Sequence, residues 1–413
     1  MAASVTTFDA LLKDLYSDQR VADLIAQACP TFGLMKKKTG FDGLGGRRLA
    51  IPVNYGANEG IGPTVANAIT AQGNSKSADF LLTRKTLIGR ILIDRELMEA
   101  AQGDRASFLD AMDHEVNVTE RAFFARVGSQ VFANGGGSVG RIASTSTVNT
   151  ETITLSDPRD AVNFRPGMVI EADDTDGSGG GAVHAGTQTI KAVDYTNGTV
   201  TGSLHWDDVI TGVAASDYLF PVGQFGLGAA GFAAWCPASA PTSGDSFYNV
   251  DRSVAVNELA GLRVTAGGGT MEDSLLAAAV EGARLGREFS HIVLNPYRVG
   301  ILIRELGSKA TYIQTDSNEK TIGTSVLAIH TPVNKGALKV VSDPYCQADT
   351  AWFINMADWA VVSTKSGVPH MQKDMDGRIV SQMGASTDTL EMRLAAYWNI
   401  ACYNPGQILR CDF

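Results

Sequence analysis

Residues 47–94 read RRLAIPVNYGANEGIGPTVANAITAQGNSKSADFLLTRKTLIGRILID. The runs from Arg47 to Asn54 and from Phe80 to Ile93 are β-like, and Leu87, Ile91 and Ile93 supply part of a period-2 face. Between them, residues 55–79 are rich in Gly, Asn, Ala and Ser and hold too few large apolar side chains to form a core. The pattern predicts an elongated hairpin with a coreless tip. Such a tip cannot bury itself in a free monomer, so it implies support from a neighbouring molecule.

On the N-terminal side, Phe8, Leu11, Leu12 and Leu15, then Val21, Leu24 and Ile25, fall at helical spacing in two short pieces that Cys29-Pro30 stops. Two short amphipathic turns need another surface to lie on, so residues 1–35 read as an arm. On the C-terminal side, Leu109, Met112, Val116, Phe123, Val127 and Val131 form one apolar stripe from about Asp104 to Phe132. That helix would be a spine roughly 40 Å long. Ser107 with Asp110 resembles a capping box, and Gly135-Gly136-Gly137 ends the run.

Residues 138–222 read as an all-β insertion. TETITL, GMVIEA, TQTIKAVDY and GTVTGSLHW are short alternating runs parted by turns, with the hairpin signal Asn197-Gly198 between the last two. The remainder is mixed α/β. Thr270 with Asp273 caps a helix whose apolar residues include Leu275, Leu276, Val280 and Leu285. Ile292 to Leu294 is a short buried strand, and Asn295-Pro296 opens a second helix. Further strands are expected at Leu338 to Ser342, Trp352 to Asn355, Ala360 to Ser363 and Leu390 to Tyr397.

Composition excludes several classes. The chain has 413 residues, is 44% hydrophobic and 19% charged, and is therefore globular. Its five scattered cysteines include no CxxC pair, so reduced thiols are expected and neither a disulfide framework nor a cysteine metal site. No signal peptide and no membrane span is evident. A formal net charge of -10 argues against electrostatic capture of nucleic acid, while an acidic lining would leave enclosed DNA free to slide.

Several motifs look chemical. Residues 226–231 match GxGxxG, but Pro221 and Gly223 stand where a buried strand should be, so a structural turn is expected. Residues 136–140 match GxSxG around Ser138, but follow a long helix instead of ending a strand. Ser246 lies in a GDSF run and is assigned no role. His114-Glu115 lacks the second His of a zinc pair, and Asp173, Asp174 and Asp176 lack the twelfth-position Glu of a calcium loop. The dense basic clusters, Lys36-Lys37-Lys38 and Arg47-Arg48, stand at the root of the hairpin, where they are candidates for contact with an acidic neighbouring subunit. No catalytic, cofactor-binding or metal residue is assigned, and no cofactor is expected.

Taken in order, these pieces resemble the major capsid proteins of tailed bacteriophages, the Hong Kong 97-like fold. The resemblance is carried by Gly45-Gly46 through Ile51 to Gly56, by Asp94 to Asp104, and by FAAWCPASAPTSGDSFYNVDRSV at 232–254 with LAGLRV at 259–264. VLNPYRVGILI at 293–303, VVSDPYC at 340–346 and LEMRLAAYWNIACYNPGQI at 390–408 complete it. It implies an α+β chain divided into an arm (1–35), an extended loop (36–95), a peripheral domain with the spine helix (96–137 and 223–265), the inserted β domain (138–222), an axial domain (266–370) and returning C-terminal strands (371–413).

The implied function is structural. Copies would form hexamers and pentamers that close into an icosahedral shell around double-stranded DNA, without sequence-specific contact, in a virion assembled in the host cytoplasm. A portal, and scaffold or decoration proteins, would be partners, and no membrane is involved. Only the arm precedes Lys36, so no removable N-terminal extension is expected. Some relatives join a loop lysine to a neighbour's asparagine; here Lys76 or Lys85 could in principle meet Asn399 or Asn404, and non-covalent shells are expected. The rival readings are an encapsulin-like compartment and, more remotely, a serine hydrolase using Ser138 or Ser246.

Overall fold

In a computed structural model of the chain, the described residues are 29–39, 48–94, 105–306, 328–330, 337–364, 368, 370–372, 380–382 and 389–413. The helical pieces expected in residues 1–28, as well as Arg47, lie outside them. The centre of the body is the strand Thr389–Cys402, whose run of apolar residues is buried on both faces from Met392 onward except at Arg393 and Tyr397. Trp359–Ser363 and Lys85–Asp94 pair antiparallel with it along its length, and Lys36–Thr39 adds a parallel edge to Trp359–Ser363.

The helix Arg105–Phe132 packs on this sheet. Val116, Phe123, Val127 and Val131 are buried as the stripe predicts, and Gly89 lets Phe123 approach to 3.1 Å from where a Cβ would stand. Ser107 already lies inside the described helix Arg105–Phe132, so it is not the N-cap expected from sequence. Pro30 likewise opens a short helix, Pro30–Leu34, and Phe32 from it stacks edge-on against Trp398 at 5.7 Å in the body core.

A second six-stranded sheet runs in the order Leu262–Thr265, Ile408–Asp412, Thr350–Ile354, His291–Leu294, Ala337–Ser342, Ala328–His330. The Thr270 hydroxyl accepts from the Asp273 amide to cap Met271–Arg284, and Asn295 Oδ1 accepts from Tyr297 N at the start of Pro296–Leu306. Leu275 is buried, but Leu276 and Val280 are 44% and 45% exposed, so only part of the expected apolar face is core. The strand Trp359–Ser363, expected in the axial domain, belongs to the body sheet, because its five buried residues face the core shared with Thr389–Cys402.

The insertion has a sheet of its own, ordered Gly140–Arg141, Tyr218–Pro221, Val169–Asp173, Gln188–Asp194, Thr199–Gly202, Thr152–Thr154. It also has its own core, around Ile153, Ile170, Ile190, Val200, Trp206 and Leu219. Asn197-Gly198 stands in the turn between two antiparallel strands as expected. Trp206, read as strand, instead opens the helical turn Trp206–Val209 with its indole donating to Glu151 O at 3.0 Å.

The hairpin pairs Arg48–Gly56 with Lys76–Thr83. The expected second run, 80–93, is two strands: at Arg84 the chain leaves the hairpin, and Lys85–Asp94 enters the body sheet. Strand pairing makes this split. Phe80, Leu82 and Ile91 are all buried in one shared core.

Candidate assembly surfaces

The hairpin strands are about 30 Å long at 3.4 Å per residue, and the tip carries the helix Val65–Ala71, in which no residue is buried. Thr64 caps it through the Asn67 amide, and the Asn58 carboxamide accepts from Gly60 N and Gly73 N, closing the loop on itself. The tip therefore has a defined backbone but no interior. Ile61, Val65 and Ile69 are 83%, 78% and 65% exposed.

The basic cluster divides. Lys36, Lys37 and Lys38 form an exposed edge strand of the body sheet, with Lys36 Nζ donating to Ala357 O at 3.3 Å and Lys38 Nζ 4.0 Å from the centre of the Tyr403 ring. Arg48 begins the hairpin and is exposed. The lysines are thus attached to the body sheet and not to the hairpin.

The chemical motifs resolve into turns. Gly226 has φ 69° and Gly231 sits where a Cβ would lie 2.3 Å from Val131 O, so residues 226–231 thread tightly past the end of the long helix. Gly136 meets Asp176 O in the same way, and Gly135 and Gly137 both have φ 90°. Asp173 and Asp176 turn their carboxylates inward on the loop, accepting from Asp174 N, Thr175 Oγ1, Asn134 Nδ2 and Ser178. The side chains of His114 and Glu115 lie outside the described residues.

Ser138 and Ser246 both line one cavity of about 670 Å³ where the insertion meets the body, and no histidine is among the described residues that line it. The wall includes Asp160, which burial, then Asp157 and Asp349, pushes up to about 8, favouring the protonated carboxyl. Sequence reasoning missed Asp160, because its neighbour Asp349 is distant in the chain.

All five cysteines are buried and free of disulfides, and burial pushes Cys236 up to about 11 and Cys411 to about 12. Asn399 is fully buried, with its amide occupied by Thr83 O and Tyr248 Oη and its carbonyl by Ala230 N and Ile400 N. It is closed to a neighbour's lysine. Lys85 is half-buried on Gly226 O, whereas Lys76 and Asn404 are exposed. Among the described residues no helix is long and apolar enough to cross a membrane.

Comparison with known proteins locates this geometry. The profile of the SU10 major capsid protein family matches residues 229–387. The fold is similar to a chain of the cyanophage A-1(L) capsid asymmetric unit, with TM-score 0.52 and 10% identity over 95% of this chain and 92% of that one. Lower scores relate it to the capsid of cyanophage P-SCSP1u (TM-score 0.41, 9% identity, 92% and 86% covered). They also relate it to the holo-SrpI encapsulin complex of Synechococcus elongatus PCC 7942 (TM-score 0.40, 8% identity, 92% and 85% covered). No curated protein matches the sequence. Residues 229–387 thus match the SU10 major capsid protein family model, and the fold is similar to that of the cyanophage A-1(L) capsid chain.

Proposed function

We propose that the chain builds a closed icosahedral phage head from hexamers and pentamers, with each hairpin lying on an adjacent copy and double-stranded DNA enclosed. The observation that carries this reading is the tip: a folded, capped helix that buries none of its residues and exposes Ile61, Val65 and Ile69. Each such aliphatic side chain gains roughly 1.5–3 kcal/mol when fully buried. Repeated over every contact of a shell, modest gains per interface add up to a stable lattice. The exposed edge lysines, Lys36 to Lys38, with Arg48, suit an acidic patch on the neighbour. Portal, scaffold and decoration proteins complete the partner set of such a head.

The insertion is read as a module added to a body that is complete without it. Its entry and exit converge on one place, where Gly226 N donates to Gly136 O at 2.8 Å. It projects outward and braces contacts between capsomers. An encapsulin-like compartment would share the lattice and differ in content, so purified particles carrying nuclease-protected DNA support the phage reading and particles carrying a protein cargo oppose it. A hydrolase would need a base for Ser138 or Ser246, and among the described residues that line the cavity they share there is no imidazole.

A further inference from the structure

The root of the hairpin rests on a strained turn. Ser246–Phe247 pairs antiparallel with Val250–Asp251, leaving the two-residue turn Tyr248-Asn249. Both residues have positive φ, 46° and 72°, the condition of a turn that ordinarily takes Asn-Gly. A tyrosine at φ 46° is an outlier that persists only where its surroundings hold it.

Three elements hold it here. Leu81 N of the hairpin donates to Tyr248 O at 3.0 Å, so the strained carbonyl is the outward hydrogen-bond partner of the hairpin strand. The Tyr248 hydroxyl accepts from Asn399 Nδ2 at 3.0 Å, and the same amide donates to Thr83 O at 2.6 Å, at the hairpin's last residue. Its ring lies 4.5 Å from that of Phe247, which with Trp235 also packs against Phe80 of the hairpin. Burial of this contact pushes the Tyr248 phenol up to about 12, so it is neutral across the physiological range.

We propose that Tyr248 and Asn399 form a clamp that fixes the direction in which the hairpin leaves the body, and that shell assembly depends on this direction. Strand pairing alone leaves a two-stranded ribbon free to swing at Arg84. Asn399 removes that freedom by tying Thr83, the Tyr248 hydroxyl, Ala230 N and its own sheet at one buried point. The strain at Tyr248 is the cost of placing a carbonyl against Leu81 N and a hydroxyl against Asn399 from the same residue, which Asn or Gly cannot do. These are positioning residues, and the proposal rests on the capsid reading only in its second half.

The test uses the full chain with Tyr248→Phe, which removes the hydroxyl alone, and Asn249→Gly, which relieves the second positive φ and keeps both contacts. In the unassembled subunit, amide exchange at Leu81 and the distance between spin labels at Ala66→Cys and Leu276→Cys report the clamp. Tyr248→Phe is expected to speed Leu81 exchange at least tenfold and to broaden the distance distribution, with unchanged exchange in the Thr389–Cys402 strand. Asn249→Gly is expected to leave both readings at wild-type values and to raise the melting temperature. Shell yield should fall at least tenfold for Tyr248→Phe only. Unchanged Leu81 exchange in Tyr248→Phe would overturn the clamp. A loosened hairpin with wild-type shell yield would overturn its role in assembly. If the wild-type chain itself formed no shells, the capsid reading would fail while the subunit measurements still decided the clamp.

Discussion

The insertion and the hairpin are both long excursions from the body, and they differ in where their apolar residues point. In the insertion Ile153, Ile170, Ile190, Val200, Trp206 and Leu219 face one another and are all but excluded from solvent. In the hairpin, burial stops at the root, with Ile51, Val53, Phe80 and Leu82, and the tip presents Ile61, Val65 and Ile69 outward. A segment that closes its own core needs nothing else to stay folded. A segment that exposes an apolar face on a capped helix suits a contact that the single subunit does not contain.

The sharpest way to break this comparison is to remove the tip. Replacing residues 57–75 with Asn-Gly keeps the ladder from Arg48 to Gly56 against Lys76 to Thr83 and supplies a two-residue turn. The subunit should stay folded, melting within about 2 °C of wild type, while shell yield in electron micrographs falls more than tenfold. Normal shells from this variant would mean that the tip is not a lattice contact.

The insertion should respond in the opposite way. Trp206 is fully buried there, and Trp206→Ala should cost about 3–5 kcal/mol, confined to that unit. Limited proteolysis is expected to cut within residues 138–222 first while the body resists, and shells should form but open at a lower temperature. Simultaneous loss of the body would show that the insertion is part of the main core.

Much of this arrangement is legible in sequence, because each part is specified by local pattern. The coreless run 55–79, the stripe Val116, Phe123, Val127, Val131 and the alternating strands of the insertion all state which residues lie inside. What local pattern leaves open is which strand joins which sheet. Phe80 to Ile93 has one continuous β character, yet its halves belong to different sheets, since only the partners at Arg48–Gly56 and Thr389–Cys402 distinguish them. Leu276 and Val280 fit a helical stripe as well as Leu275 does, but the stripe is wider than the surface available to cover it. The contacts of Asn399 with Thr83 and Tyr248 gave no signal, because those partners are 316 and 151 residues away from Asn399.

A smaller effect tests how the insertion is seated. The Asp160 carboxyl lines the cavity with Arg141, Arg410 and Tyr345, and its pKa is raised from 3.8 to about 8 by burial and by Asp157 and Asp349. Between those two values the folded protein holds a proton that the unfolded chain has released, so stability falls as pH rises through this window and levels off above it. Asp160→Asn should flatten the fall in melting temperature between about pH 4 and pH 8. An unaltered profile would show that Asp160 is not the group responsible.

The smallest change lies far from both excursions. Thr270→Ala removes the cap that the Asp273 amide donates to, and should cost about 1 kcal/mol in denaturant melts with no effect on shell yield at 25 °C.

The central claim, that this chain is a shell subunit whose hairpin is completed by a neighbour, is tested most directly by cryo-electron microscopy of the purified full-length protein. The account predicts closed particles of uniform diameter in which residues 57–75 lie against an adjacent copy, with Ile61, Val65 and Ile69 covered. Monomers or small soluble oligomers alone, or shells in which those three side chains remain exposed, would contradict it.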